Sequence, residues 1–104
     1  MAGRRTPLDE AAIGEELRKL PGWKRSGGVI ERSFSIEYQA AVAMIVHVAE
    51  VERRVDHHAD IDLRWGRVRF AVTTHSAGGS LTAADFDLAH RIDAVAQAHE
   101  AEAV

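Results

Sequence analysis

The sequence predicts an α+β fold, a four-stranded antiparallel sheet with three helices packed on one face in the order α-β-β-α-β-β-α. Three features predict it. Residues 37–57 carry apolar side chains at three- and four-residue spacing, the pattern of a helix with one buried face. Two stretches flanking that helix alternate apolar and polar residues about a glycine-containing turn, the pattern of hairpins covered on one side. The 104 residues are the length of one domain, so these elements are expected to share one core over residues 1–104.

Residues 1–5 read as a loose start. Thr6-Pro7 reads as an N-cap followed by proline at the first helical position, where the missing N–H costs nothing, and Asp9 and Glu10 place negative charge in the first turn. Ile13, Leu17 and Leu20 form the apolar stripe of this helix, and Pro21-Gly22 ends it. The first hairpin joins residues 23–25 to residues 29–34 through Ser26-Gly27-Gly28, where glycine tolerates positive φ. Ile30, Phe34 and Ile36 alternate with Glu31 and Ser35, and Arg32 breaks the period. In the long helix Ala41, Met44, Ile45, Val48, Val51 and Val55 form the buried face, with Ser35 as N-cap and Glu37 in the first turn.

The second hairpin sets Ile61, Leu63 and Trp65 against Val68, Phe70 and Val72 across Gly66-Arg67. By the same alternation His75, at the end of the fourth strand, shares a face with Thr73 and Arg69. After the loop 76–80, Thr82-Ala83-Ala84-Asp85 has the form of a capping box with a shortened acid. Phe86, Leu88, Ala89, Ile92, Val95 and Ala96 then mark a helix that frays towards residue 104.

Composition excludes several function classes. Lys and Arg number 13 against 16 Asp and Glu, a net charge of −3, which disfavours general nucleic-acid binding. Cysteine is absent, which removes disulfides, thiolate catalysis and cysteine zinc sites together. The longest apolar run, residues 40–46, falls far short of the ~20 residues of a membrane span. Arg4 and Arg5 lie in a start that no apolar stretch follows, so no signal peptide is read there. The expectation is a cytoplasmic protein with neither nucleic acid nor membrane as partner.

Histidine is the informative residue. His90 and His99 lie on the last helix without obvious partners, and His47 sits inside an apolar run, where a satisfied or partly buried imidazole is expected. His57 and His58 are adjacent where the long helix ends, beside Asp56, Asp60 and Asp62. Imidazole titrates near neutrality and can give or take a proton there. The structural alternative is a cationic helix C-terminus, which the helix dipole favours. Adjacent helical side chains point about 100° apart, and no H-x-x-x-H pair occurs, so a metal is not expected. A Gly-x-Ser-x-Gly elbow is missing too, and Gly27-Gly28 and Gly78-Gly79 are isolated pairs that do not make a phosphate loop.

The spacings around these histidines are specific. His57-His58-Ala59 is followed by five residues and Trp65; nine more precede His75, within Thr73-Thr74-His75, and a further nine precede Asp85. With Pro21-Gly22-Trp23 and Gly78-Gly79 before Leu81-Thr82, this pattern resembles the pterin-4a-carbinolamine dehydratase family over residues 7–97. The resemblance implies dehydration of a 4a-hydroxytetrahydropterin to a quinonoid dihydropterin, with His57 and His75 as acid–base residues and His58 holding the substrate. It leaves open which of His57 and His75 is the acid. Trp65 is then either a substrate-packing wall or core, while Asp85 and Thr74 support the site, Asp85 as an orienting group or simply a cap. The resemblance implies no cofactor, a homodimer or homotetramer, and, as the alternative function, an assembly module for another protein. Four positions depart from the family pattern. Arg53 stands four before His57 where Glu, Asp, Lys or His is expected, with Glu52 one place off; Ala59 replaces a proline, predicting a looser turn; Ser76 stands where aspartate is common; and Ser80 reads as a one-residue insertion.

Overall fold

The structure, a computed structural model, describes residues 3–104. Of the start expected to be loose, residues 1 and 2 lie outside the described residues, while Gly3–Arg5 form a 3₁₀ turn. Helix α1 (Glu10–Arg18) follows. Its N-cap is Asp9, whose carboxylate accepts from the Ala12 N–H at 2.8 Å, and not Thr6. The reason is upstream: the Leu8 N–H donates to the Leu81 carbonyl at 3.0 Å, which ties this approach segment to the loop before the last helix.

Strands β1 (Lys24–Ser26) and β2 (Val29–Ser35) form the first hairpin, with Gly27 at φ 60° in its turn. Helix α2 (Tyr38–Val55) buries Ala41, Met44, Val48 and Val51, with Ile45 and Val55 packed at the margin. Its cap is Glu37, which accepts from the Gln39 and Ala40 N–H groups at 3.0 and 3.1 Å. Ser35 is unavailable for that role because its backbone belongs to β2. The helix ends at Val55, two residues earlier than the periodicity predicts, because Asp56 takes the left-handed conformation at φ 55°.

Strands β3 (Asp60–Arg64) and β4 (Arg67–Val72) make the second hairpin, and helix α3 (Ala83–Ala98) lays Phe86, Leu88, Ala89, Ile92 and Val95 onto the core. The sheet order is β1-β2-β4-β3, antiparallel throughout, with Ile30 opposite Val72, Phe34 opposite Val68 and Ile61 opposite Phe70. Arg32, opposite Phe70, sits on the helix-covered face. Its guanidinium stacks 4.6 Å from the Phe34 ring centroid and pairs at 3.0 Å with Asp93 of α3, which also accepts from the Trp23 indole N–H at 2.9 Å. The period breaks there without leaving an unpaired charge inside.

The sheet has five strands, not four. After α3 the chain reverses through Glu100 at φ 58°, the Ala101 N–H closes on the Ala96 carbonyl at 2.9 Å, and β5 (Glu102–Ala103) pairs with the end of β2. Two residues carry too little periodicity to show in sequence. His47 is exposed, and its Nδ1 lies 3.1 Å from Nε2 of His99, which therefore does have a partner.

Candidate active site

The C-terminal ends of α2 and β4 open on the same side of the fold, and a cavity of about 380 Å³ lies between them. From the α2 side it is lined by Asp56, His57 and His58, and from the β4 side by Thr73, Thr74, His75 and Ser76. Ligand sites commonly span ~300–1,000 Å³, so the cavity suits one small molecule. Arg5, from the N-terminal 3₁₀ turn, completes the wall.

His57 and His58 follow the left-handed Asp56 and are not helical, so the 100° argument does not govern how they point. His57 is buried, at 8% exposure, and His58 is exposed. The reversal at Asp56 is stapled by the His57 N–H to the Glu52 carbonyl at 3.2 Å, and the Ala59 N–H donates to the Glu52 carboxylate at 2.9 Å. Glu52 is 4% exposed. The turn expected to loosen without proline is held by this hydrogen bond instead. Arg53 faces solvent, where an ion pair with Glu50 at 2.7 Å raises its pKa, mainly through the hydrogen bond, and lowers that of Glu50. It does not line the cavity.

The carboxylate that meets His57 is Asp85, and not the neighbouring Asp56, Asp60 or Asp62. His57 Nε2 lies 2.6 Å from Asp85 Oδ1, with Asp85 fully buried. Asp85 Oδ2 accepts from the Thr82 N–H at 2.8 Å and the Thr74 hydroxyl at 2.7 Å, and the Thr82 hydroxyl lies 2.7 Å from that of Thr74. One carboxylate thus caps α3 with one oxygen and holds the histidine with the other. An ionised carboxylate only accepts, so opposite it His57 Nε2 is the donor, and in the neutral form of the ring Nδ1 is then the nitrogen with the lone pair.

His75 leaves the strand alternation, because β4 ends at Val72 and His75 opens a second 3₁₀ turn, His75–Ala77. This loop is fixed from both ends. Thr74 and Ser80 bridge through an N–H···O bond of 3.1 Å, and the Gly78 and Gly79 N–H groups return to the His75 and Thr74 carbonyls at 3.0 Å each. The β1–β2 turn buttresses it: the Thr73 hydroxyl donates to the Gly28 carbonyl at 2.6 Å, and a Cβ on Gly28 would stand 1.8 Å from the Gly79 carbonyl oxygen. Ser80, read as an insertion, supplies the bridge.

Trp65 is neither core nor part of this cavity. It lies in the β3–β4 turn at φ 36° and is 88% exposed. The apolar alternation runs one residue past the strand, which ends at Arg64. The length of β3, at about 3.3 Å per residue, separates it from the histidines by roughly 16 Å. Sequence reasoning missed Arg5, Thr73 and Glu52 as neighbours of the site; for Glu52, a charged residue on the buried phase of α2 was the available signal. Among the described residues no group of three or more His, Asp or Glu side chains is arranged to hold a metal ion.

An antiparallel sheet with helices on one face and a histidine-lined cavity at its end, set over a buried carboxylate, defines a class of small α+β ligand-site proteins. The comparisons narrow it. A family model described as pterin 4 alpha carbinolamine dehydratase matches residues 6–95. A Streptomyces avermitilis relative is 43% identical over 91% of this chain and 95% of its own length. A Nocardia farcinica relative is 47% identical over 86% of this chain and 95% of its own. Both carry the provisional name pterin-4-alpha-carbinolamine dehydratase. A crystal structure from Brucella melitensis, described as a transcriptional coactivator/pterin dehydratase, superposes with a TM-score of 0.82 at 29% identity, covering 88% of this chain and 99% of that one. A pterin dehydratase-like protein identified as a RuBisCO assembly factor shares the fold at a TM-score of 0.57 and 18% identity, covering 71% of this chain and 86% of that one. The chain belongs to the pterin-4a-carbinolamine dehydratase family.

Proposed function

We propose that this protein dehydrates a 4a-hydroxytetrahydropterin to a quinonoid dihydropterin and water by histidine acid–base catalysis, in the cytoplasm and without a cofactor. The observation that carries the reading is the His57 Nε2–Asp85 Oδ1 contact of 2.6 Å beside a cavity shared with His58 and His75. In the reaction N5 loses its proton, the C4a–O bond breaks, the departing hydroxyl takes a proton to leave as water, and a C4a=N5 double bond forms. His57, with its Nε2 proton committed to Asp85, takes the N5 proton on Nδ1. His75, on the β4 side of the cavity, delivers a proton to the hydroxyl, and His58 holds the ring. Positioned acid and base groups of this kind contribute about 10²–10⁴-fold each.

The test is dehydration measured against the spontaneous background. His57→Ala and His75→Ala each lower the rate at least ~10²-fold, and the double variant loses less than the product of the two, because groups acting as a unit are non-additive. His58→Ala acts mainly on KM. A wild-type chain with no dehydration above background defeats the reading.

A second reading, assembly, is favoured by the outer face of α2. Tyr38, Val42 and Val46, at 41, 39 and 64% exposure, recur every fourth residue and form an uncovered apolar stripe, with Trp65 beside Tyr38. The proposal is a symmetric homodimer or homotetramer closed on that stripe. A sedimentation mass of 11.4 kDa at micromolar concentration refutes it. If dehydration is absent and another protein co-purifies, the assembly-module function stands in its place.

A further inference from the structure

We propose that Arg5 determines substrate specificity at this cavity, selecting pterins whose side chain carries an oxyanion, a carboxylate or phosphate ester, over neutral ones; the inference rests on the pterin reading above. Arg4 and Arg5 are adjacent but meet different partners. Arg4 pairs with Asp87 of α3 at 3.2 Å, which fixes the 3₁₀ turn on the body of the protein, and the Leu8–Leu81 hydrogen bond at 3.0 Å fixes the chain just after it. Held from both sides, the turn presents Arg5 to the cavity that His57, His58 and His75 line.

There the guanidinium Nη2 donates to the Asp56 carbonyl. That contact belongs to the end of α2, where carbonyls lack helical partners, and it orients the group while engaging one of its several N–H donors. Among the described residues no carboxylate forms an ion pair with Arg5. Most other arginines do have such a partner: Arg4, Arg18, Arg25, Arg32, Arg53, Arg64, Arg69 and Arg91 are ion-paired, and of the unpaired ones, Arg5, Arg54 and Arg67, Arg5 is the one that lines this cavity. A guanidinium donates and never accepts, stays charged at all working pH, and matches carboxylate or phosphate oxygens with a planar fork. Asp56 lines the same cavity without its carboxylate pairing this guanidinium, and an oriented cation that no carboxylate engages, at the rim of a small-molecule cavity, is complementary to an oxyanion on the bound molecule. A purely structural strap would use the same Asp56 contact, so the test must separate the two.

The experiment measures binding of three oxidised probes to the full chain by fluorescence: 6-hydroxymethylpterin, its phosphate ester and 6-carboxypterin. Binding is measured at about pH 8.5, where the guanidinium of Arg5 keeps its charge. The expected result is at least ~10-fold tighter binding of one or both anionic probes than of the neutral one, weakening as salt rises. The carboxylate and phosphate arms show which oxyanion the site takes. In Arg5→Gln the anionic probes lose at least ~10-fold more affinity than the neutral probe, and Arg5→Lys retains part of the preference. Equal binding of all three probes by the wild type overturns the inference and leaves the pterin reading standing. Equal weakening of all three in Arg5→Gln overturns it in favour of a strap. If the wild type binds none of them, the pterin reading fails and this inference fails with it.

Discussion

Replacing Asp85 by asparagine tests the core of the site, because the structure dictates how the amide must sit. Asp85 Oδ2 faces the Thr82 main-chain N–H at 2.8 Å, a group that can only donate, so the amide oxygen must take that place. The amide NH₂ then occupies the Oδ1 position, 2.6 Å from His57 Nε2. Two N–H groups cannot face each other there, so His57 moves its proton to Nδ1 and accepts through Nε2. The hydrogen bonds are conserved in number but lose their charge, at a cost of about 1–3 kcal/mol in stability. The chemical consequence is larger. If His57 takes the N5 proton on Nδ1, that nitrogen now carries a proton, and the rate falls by about 10²–10⁴-fold. An aspartate-to-asparagine change that misplaces a histidine tautomer costs ~10⁴-fold in a serine-protease triad. The assay is dehydration above background, with thermal melting to confirm folding and ¹⁵N NMR of His57 to read which nitrogen is protonated. A folded Asp85→Asn protein within ~3-fold of wild-type activity, or one in which Nε2 of His57 keeps its proton, refutes the assignment.

Other perturbations discriminate the supporting contacts. Ala59→Pro removes the N–H that serves the buried Glu52 carboxylate at 2.9 Å and is expected to destabilise the protein by about 1–3 kcal/mol in urea melts; a gain in stability would contradict that account. Arg53→Glu, at an exposed position outside the cavity, changes stability by no more than about 0.5 kcal/mol and the rate by less than ~3-fold, and a larger rate effect would reinstate position 53 as part of the site. Gly28→Ala drives a Cβ to 1.8 Å from the Gly79 carbonyl oxygen, so the loop bearing His75 must shift; activity should fall at least ~10-fold, and unaltered turnover would show the loop position to be immaterial. Glu31→Gln removes the partner of Arg69, whose hydrogen bond holds the Glu31 carboxyl below its usual range. A depressed carboxylate stabilises the fold above its unfolded pKa and loses that contribution as pH falls through its folded one. For a pair more than a third exposed, the variant should therefore differ from wild type by under about 1 kcal/mol at pH 7 and by nothing once Glu31 is protonated, as melts at the two pH values will show.

The three helices and the first four strands were legible in the sequence because apolar periodicity reports burial, and burial is what places them. What escaped was set by single polar contacts. Thr6 and Ser35 are good caps by type, yet Asp9 and Glu37 lie where a carboxylate reaches the first free N–H groups. Trp65 fits the alternation of β3 although the strand ends at Arg64, because alternation carries no mark of where a strand ends. β5 depends on a left-handed Glu100 where glycine would have given a signal. Of the candidate site residues, His57, His58, Thr74 and His75 do line one cavity, and Asp85 lies against it through His57. The two roles weighed for Asp85, cap and orienting group, are served at once by its two oxygens, which sequence spacing cannot resolve.

Glu52, Arg53 and Ala59 are tied together by the contacts at the end of α2. Positions 52 and 53 point about 100° apart around α2, which puts the Glu52 carboxylate on the buried side and Arg53 on the solvent side. Arg53 then needs no role at the site and pairs with Glu50 instead. A buried carboxylate at 52 requires a donor, and the main-chain N–H of residue 59 supplies it at 2.9 Å. Proline at 59 would fix the turn through its ring but would have no N–H to give. Alanine surrenders the ring and restores the donor, so the same turn is held by a hydrogen bond rather than by a constrained φ. The left-handed Asp56 between these anchors aims His57 at Asp85, and its geometry is therefore determined by the Glu52–Ala59 contact as much as by the helix that precedes it.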